Sequence, residues 1–243
     1  MIRWTYVVVD RPAPAAGRTA AFWGAVTGTR PSAPWGERGE FTTLSPDGAD
    51  ACLVTQASGG PGGAHPDFAV EDTAAFTDRA GRLGATAGPT RPELTAMRSP
   101  GGQAFCVVPW RGQRTRPPVL THATGVRSRL DQLCLDVPPA AFDAEVAFWT
   151  ELTGWDSRPG TYAEFHVLRP PLGAPVRLLV QRLDEPRAAS AHPDLACSDL
   201  AAERILHERH GAEFVRDGAM WTVMRDPAGG LYCLTGRDPV TGE

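Results

Sequence analysis

The sequence predicts an α+β chain made of two tandem copies of one domain, each copy built from two strand–helix–strand modules. Three observations carry this prediction. A set of sequence blocks recurs once, in the same order and at nearly constant spacing. Within each copy, alternating or β-branched runs give way to runs with apolar residues at helical spacing. The 243 residues also include 26 Gly and 23 Pro, well above the usual share of about 12%. Such a composition favours short elements joined by many turns over long helices.

The repeat decides the architecture. At an offset of 127, His65–Ala69 (HPDFA) matches His192–Ala196 (HPDLA), and Gly84-Ala85 matches Gly211-Ala212. At the same offset, Met97–Cys106 matches Met224–Cys233. Near the start the offset is 126, with Ala21-Phe22-Trp23 matching Ala147-Phe148-Trp149 and Thr27-Gly28 matching Thr153-Gly154. Two domains follow, 1–115 and 121–243, joined by an Arg-, Pro- and Gly-rich stretch from Pro109 to Arg127 that reads as a surface linker.

Each half begins with a strand, Trp4–Asp10 or Leu130–Val137. A helix follows, Ala16–Gly28 or Phe142–Gly154, closed by a Gly where a left-handed cap is needed. Two strands around a turn come next: Phe41–Leu44 and Ala51–Gln56, or Glu164–Leu168 and Val176–Gln181. A second module opens at each His-Pro-Asp. Asp72 and Asp199 stand at N-cap positions, with Phe76, Ala80 and Leu83 on one helix face. Gly84 and Gly211 end these helices, and His207 and His210 fall in a last turn, where cations suit the dipole. The final strands are Phe105–Val108 and Tyr232–Leu234. Each half therefore reads βαββ(β)βαββ(β).

Composition excludes several function classes. The net charge of −4, with Arg and acidic residues interspersed, supplies no basic stripe for nucleic acid. All 24 basic residues are Arg, so lysine-based covalent chemistry is out of reach. No apolar run approaches the ~18 residues of a membrane helix, and the N-terminal residues lack signal-peptide character. Five cysteines (Cys52, Cys106, Cys134, Cys197, Cys233), none in a CxxC pair, read as buried reduced thiols of a cytoplasmic protein. Gly59–Gly63 lacks the Lys-Ser/Thr of a phosphate loop and reads as an inter-module linker.

The Ala-Phe-Trp helix, the His-Pro-Asp strand, the helix ending in Gly-Ala and the Pro-x-Gly…Phe/Tyr-Cys ending together resemble the vicinal oxygen chelate superfamily. Within it, they are most similar to tandem glyoxalase-like, bleomycin-resistance-type domains. The resemblance implies paired βαβββ modules whose curved mixed sheets form a cup, and an intramolecular pseudo-dimer, with further homodimerisation left open. Family functions range from glutathione lyases and dioxygenases to epimerases and metal-free antibiotic-sequestering proteins, so function must be argued from the site.

The resemblance also implies three metal-ligand positions. Carried onto this chain they fall on Tyr6, His65 and Cys106 in the first half and on Gln132, His192 and Cys233 in the second. The carboxylate is lost in both halves. No cofactor is therefore expected, with a divalent metal at Gln132, His192 and Cys233 as the alternative. By strand alternation His65 and Asp67 share a face, as do His192 and Asp194, so each pair is a candidate acid–base couple. Trp221, Trp155 and Trp35 lie at strand ends or in loops, where an indole can stack on a planar ligand.

The reading that follows is metal-independent binding of a hydrophobic or aromatic small molecule in the cup. Sequestration of an antibiotic or other secondary metabolite is its family-implied form. Gln132, His192, Asp194, Cys233 and Trp221 would form the better site, and Tyr6, His65, Asp67 and Cys106 its counterpart. The alternative is an enzyme: a lyase, isomerase or cyclase with His192 or His65 as general base, or a metal-dependent glyoxalase or dioxygenase.

Overall fold

The structure, a computed structural model, describes every residue except Pro61 and Pro92. Pro61 of the Gly59–Gly63 linker thus lies outside the described residues. The first repeat comprises β1 (Ile2–Pro12), α1 (Ala16–Thr27), β2 (Arg30–Pro31), β3 (Phe41–Ser45), β4 (Leu53–Ser58), β5 (Gly63–Val70), α2 (Thr73–Arg82), β6 (Thr86–Arg91), β7 (Leu94–Arg98) and β8 (Ala104–Pro109). After β9 (Leu120–Thr121), the second comprises β10 (Arg127–Val137), α3 (Phe142–Thr153), β11 (Asp156–Pro159), β12 (Phe165–Arg169), β13 (Arg177–Arg182), β14 (Ser190–Cys197), α4 (Leu200–Arg209), β15 (Glu213–Asp217), β16 (Trp221–Arg225) and β17 (Leu231–Thr235).

The duplication is visible in the strand order. One sheet runs β2-β3-β4-β1-β5-β8-β7-β6 and the other β11-β12-β13-β10-β14-β17-β16-β15, element for element the same. Both sheets are mixed. β5 pairs with β8 in parallel, and β14 with β17, whereas the hairpin neighbours are antiparallel. The caps fall where the side chains require. Gly28 and Gly154 close α1 and α3 at φ 64° and 65°, a region open to Gly at little cost. Asp72 accepts from Ala75 N at 2.9 Å and Asp199 from Ala202 N at 3.0 Å.

The pattern βαββ(β)βαββ(β) leaves β2, β6, β7, β11, β15 and β16 without bounds in the sequence. β6 shows why: its residues are almost all exposed, it contains Gly-Pro, and its pairing with β7 shifts register between Ala87 and Thr90. No apolar alternation is left to read. The Pro109–Arg127 stretch is also more than a surface linker. Leu120 and Thr121 pair with Ser128 and Arg127 of β10, and Arg116 and Pro117 are half-buried.

Packing divides the chain into two compact units, each drawing on both repeats. One contains Met1–Val7, His65–Arg114 and Leu133–Ala191; the other contains Val8–Ala64, Thr115–Gln132 and His192–Glu243. The first unit is centred on aromatic rings. Phe68, Phe105, Phe148 and Trp149 meet edge-on or tilted, with neighbouring centroids 4.9–6.1 Å apart. The second places Phe22, Trp23, His207 and Tyr232 together, with centroids 5.2–6.0 Å apart. His207 is thus no dipole-complementing surface cation. It is fully buried, with Nδ1 2.8 Å from Tyr232 Oη and Nε2 3.2 Å from Glu203 Oε1.

Candidate functional site

The parallel pairing of β14 with β17 brings the chemistry of the second repeat together. Asp194 lies directly opposite Cys233, and alternation along β14 puts His192 on the face of Asp194. His192 Nε2 stands 3.4 Å from Asp194 Oδ1. One ligand atom each from His192, Asp194 and Cys233 falls within 4.8 Å of the others. From β10, the Gln132 amide donates to the second carboxylate oxygen of Asp194.

The first repeat builds the same trio. Asp67 of β5 lies opposite Cys106 of β8, and His65 Nε2 is 3.3 Å from Asp67 Oδ1. His65, Asp67 and Cys106 again offer ligand atoms within 4.8 Å of one another. Tyr6 is half-buried on β1.

These carboxylates are costly to keep buried. Only 3% of the Asp194 side chain is exposed. Burial pushes its pKa up, against the pull of His192, Arg237 and the Gln132 amide. Its Oδ1 has no hydrogen-bond partner, and neither does Oδ1 of Asp67. In the first repeat, burial and the charge of Asp67 push the Cys106 thiol up to about 11. The thiol therefore stays protonated at neutral pH unless something displaces its proton.

The other sequence candidates take different places. Trp155 is 7% exposed and packs edge-on against Phe68 at 6.3 Å. It is core, with no open face for a ligand, because β11 begins beside it and turns it inward. Trp35 is 48% exposed and stacked on Phe41 at 4.6 Å, its indole N–H on Thr43. Trp221 is half-buried, its ring lying against Gly218, where a Cβ would fall 2.1 Å from the indole. Asp136, near the end of β10, accepts from Ser190 Oγ at 3.1 Å and Arg187 Nη2 at 3.3 Å.

Sequence reasoning missed Arg237 and Asp131. Arg237 grips Asp131 through two bonds of 2.6 and 2.7 Å, and its charge also acts on Asp194. No local pattern joins positions 106 residues apart, so only the register of β10 beside β14 and β17 could reveal the pair.

The donor set decides which metal it suits. A non-haem iron triad takes two His and a carboxylate; each trio here has one His. Zinc accepts His, carboxylate and thiolate at arms of about 2.0–2.3 Å. A tetrahedron with such arms has edges of about 3.4 Å, the separation of His192 Nε2 from Asp194 Oδ1. In each trio the His–Asp pair matches one such edge, and the Cys sulfur lies within 4.8 Å of both atoms.

Comparison with known proteins places the fold. The glyoxalase-like domain profile matches residues 6–108 and again 132–235. The chain belongs to this family, as two tandem domains of the vicinal oxygen chelate superfamily. A search of curated proteins returns no match. Among solved structures, the Mn(II)-bound glyoxalase from Novosphingobium aromaticivorans is similar over 100% of this chain and 86% of its own, at 15% identity and TM-score 0.67. The 2,3-dioxygenase LapB from Pseudomonas sp. KL28 is similar over 96% and 92%, at 14% identity and TM-score 0.63. A xylose isomerase-like TIM barrel/4-hydroxyphenylpyruvate dioxygenase fusion protein matches at TM-score 0.61 and 14% identity, over 96% of this chain and 49% of its own. At these identities the likeness is one of fold.

Proposed function

We propose that the protein is a divalent-metal-dependent enzyme acting on a small oxygen-bearing metabolite. His192, Asp194 and Cys233 hold the ion in the second repeat, and His65, Asp67 and Cys106 form the equivalent set in the first. The carrying observation is the buried Oδ1 of Asp194, which lacks a hydrogen-bond partner and lies 3.4 Å from His192 Nε2 with a cysteine opposite. Buried carboxylate oxygens are costly, and the same arrangement recurs in the first repeat, where Asp67 Oδ1 lies 3.3 Å from His65 Nε2. The Mn(II)-bound glyoxalase of the same fold adds support.

The role of each residue follows from its contacts. Gln132 fixes the orientation of Asp194 through the other carboxylate oxygen, which changes its part from ligand to support. Arg237 and Asp131 set the field behind Asp194. His192 is the most open of the trio, with 15% of its side chain exposed, and is the member a substrate reaches first in this reading. A zinc-like ion at such a site supplies Lewis acidity toward a substrate carbonyl or hydroxyl. A lyase or isomerase reaction is the enzyme class this arrangement suits.

A second reading is metal-free binding of an aromatic small molecule, with sequestration as its biological form. The Gln132–Asp194 bond and a protonated Cys106 thiol favour it, because each satisfies its group without an ion. Elemental analysis separates the two. Protein exposed to Zn²⁺, Ni²⁺, Mn²⁺ and Fe²⁺ and then desalted should retain one to two equivalents of metal. Asp194→Asn should remove the second-repeat equivalent. A blank result overturns the metal reading and leaves metal-free binding.

A further inference from the structure

A second cavity lies away from the His–Asp–Cys trios, between α1 and strands β3 and β4 of the first repeat. It is a cleft of about 300 Å³, walled by Ala16, Ala20 and Pro31, floored by Thr42 and Thr55, with Glu40 at its end. The second repeat acts as an internal control. Phe41 pairs with Gln56 in β3–β4 as Phe165 pairs with Gln181 in β12–β13. Ala57 N donates to Glu40 O at 2.7 Å, and Arg182 N to Glu164 O at 2.8 Å. Ala16 and Phe142 each open their helix after an Ala in the same backbone conformation. The correspondence is therefore Ala16 with Phe142, Thr42 with His166, Thr55 with Val180, and Ala57 with Arg182.

In the second repeat Phe142, His166 and Arg182 are larger side chains that make contacts of their own. The Arg182 guanidinium sits 5.7 Å from the centroid of the Phe142 ring, and His166 Nε2 is held by Ser157 Oγ at 2.7 Å. In the first repeat, the residues at 16, 42 and 57 are small. The same backbone therefore encloses an opening there.

We infer that this first-repeat cleft is a binding site for a small neutral hydroxyaromatic molecule. Its volume lies at the lower end of ligand pockets, and its lining mixes Ala, Pro and Gly with the hydroxyls of Thr42 and Thr55. The ring body meets Ala16, Ala20 and Pro31, and the hydroxyl reaches Thr42 or Thr55. Anions are disfavoured. The buried Arg11 guanidinium in the lining is already committed to Asp226, Asp10 O and Gly63 O, and the other ionisable lining residue, Glu40, is itself acidic.

Phenol is the probe, titrated into the full chain and followed by protein amide NMR shifts. Saturable shifts confined to α1, β3 and β4 are expected. The Ala16→Phe/Ala57→Arg double variant, which installs the second repeat's residues, should weaken phenol binding at least ten-fold while metal retention is unchanged. Ala57→Arg alone serves if the double variant does not fold. Thr55→Val should cost phenol about five-fold, one hydrogen bond, and leave toluene unaffected. Absence of saturable phenol binding, or binding indifferent to a folded Ala57→Arg variant, overturns the inference.

Discussion

The indole N–H of Trp23 donates to Asp226 Oδ2 at 3.3 Å, across 203 positions of sequence. The equivalent Trp149 meets its carboxylate differently, donating to Glu145 Oε2 at 2.8 Å one turn earlier on the same helix. Both repeats thus bury a Trp under a carboxylate, but one draws it from the turn after β16 and the other from α3. The carboxylate in each case also ties down a neighbouring group. Asp226 pairs with buried Arg11 at 2.7 Å, and Glu145 accepts from Ser99 Oγ at 2.8 Å and Gly101 N at 2.7 Å.

Asp226→Ala should cost about 3–5 kcal/mol, because it strands a buried guanidinium as well as an indole N–H. Arg11 is only 2% exposed. Urea unfolding of the variant checks this, and a loss below about 1 kcal/mol would show that Arg11 finds other partners.

Glu145→Ala removes the acceptor of three donors and should cost about 2–4 kcal/mol. Gly101→Ala should be destabilising for a steric reason, since its Cβ would fall 2.7 Å from Glu145 Cγ. Thermal unfolding of both variants tests whether the same contact is being broken from its two sides.

Stability should fall as the solution is acidified from pH 7 toward 5. Burial holds the His207 pKa below its ordinary value, even though Glu203 pulls it up. The neutral form is thus favoured in the folded state. Its contribution is complete above the unfolded value of about 6.5 and is lost as pH falls through the lowered folded value. Burial pushes Glu203 up, but His207, Ser128 and His122 bring it net below the usual carboxylate range, so its contribution is lost at still lower pH. Denaturation midpoints should drop over this window in the parent protein and change less in His207→Gln. Parallel slopes would assign the acid sensitivity elsewhere.

Thiol chemistry should be silent in the native state. All five cysteines are buried and none is in a disulfide, with Cys52 pushed up to about 12 and Cys106 to about 11 by burial. Native protein at pH 8 should react with Ellman's reagent at fewer than one thiol per chain, rising to five in denaturant. Rapid native labelling of Cys106 would contradict its burial. Metal uptake by the first repeat displaces that thiol proton, so affinity should rise with pH.

Much of this was legible in the chain. The His65–Ala69 and His192–Ala196 blocks located the two trios, and Asp72, Asp199, Gly28 and Gly154 located helix ends, because caps depend on local backbone geometry. Trp155 and Gln132 were less legible. An indole at a strand edge gives no sign of whether it faces ligand or core, and Gln132 on a first strand does not reveal that its amide is spent on Asp194.

The sequence by itself determined the duplication, the α+β order of elements, the absence of a basic face and the pairing of each His with an Asp two residues on. These follow from composition and from periodicities of two and 3.6, which act over a few residues. Tertiary structure alone decided that a cysteine stands opposite each of those aspartates. It also placed Arg237 within reach of Asp194 and Asp131, opened a cleft between α1 and β3–β4 of the first repeat, and set Arg182 over Phe142 at the equivalent positions of the second. Each of these depends on strand register and on side chains meeting across dozens of positions of sequence, and burial sets their energetics only once the sheets have formed.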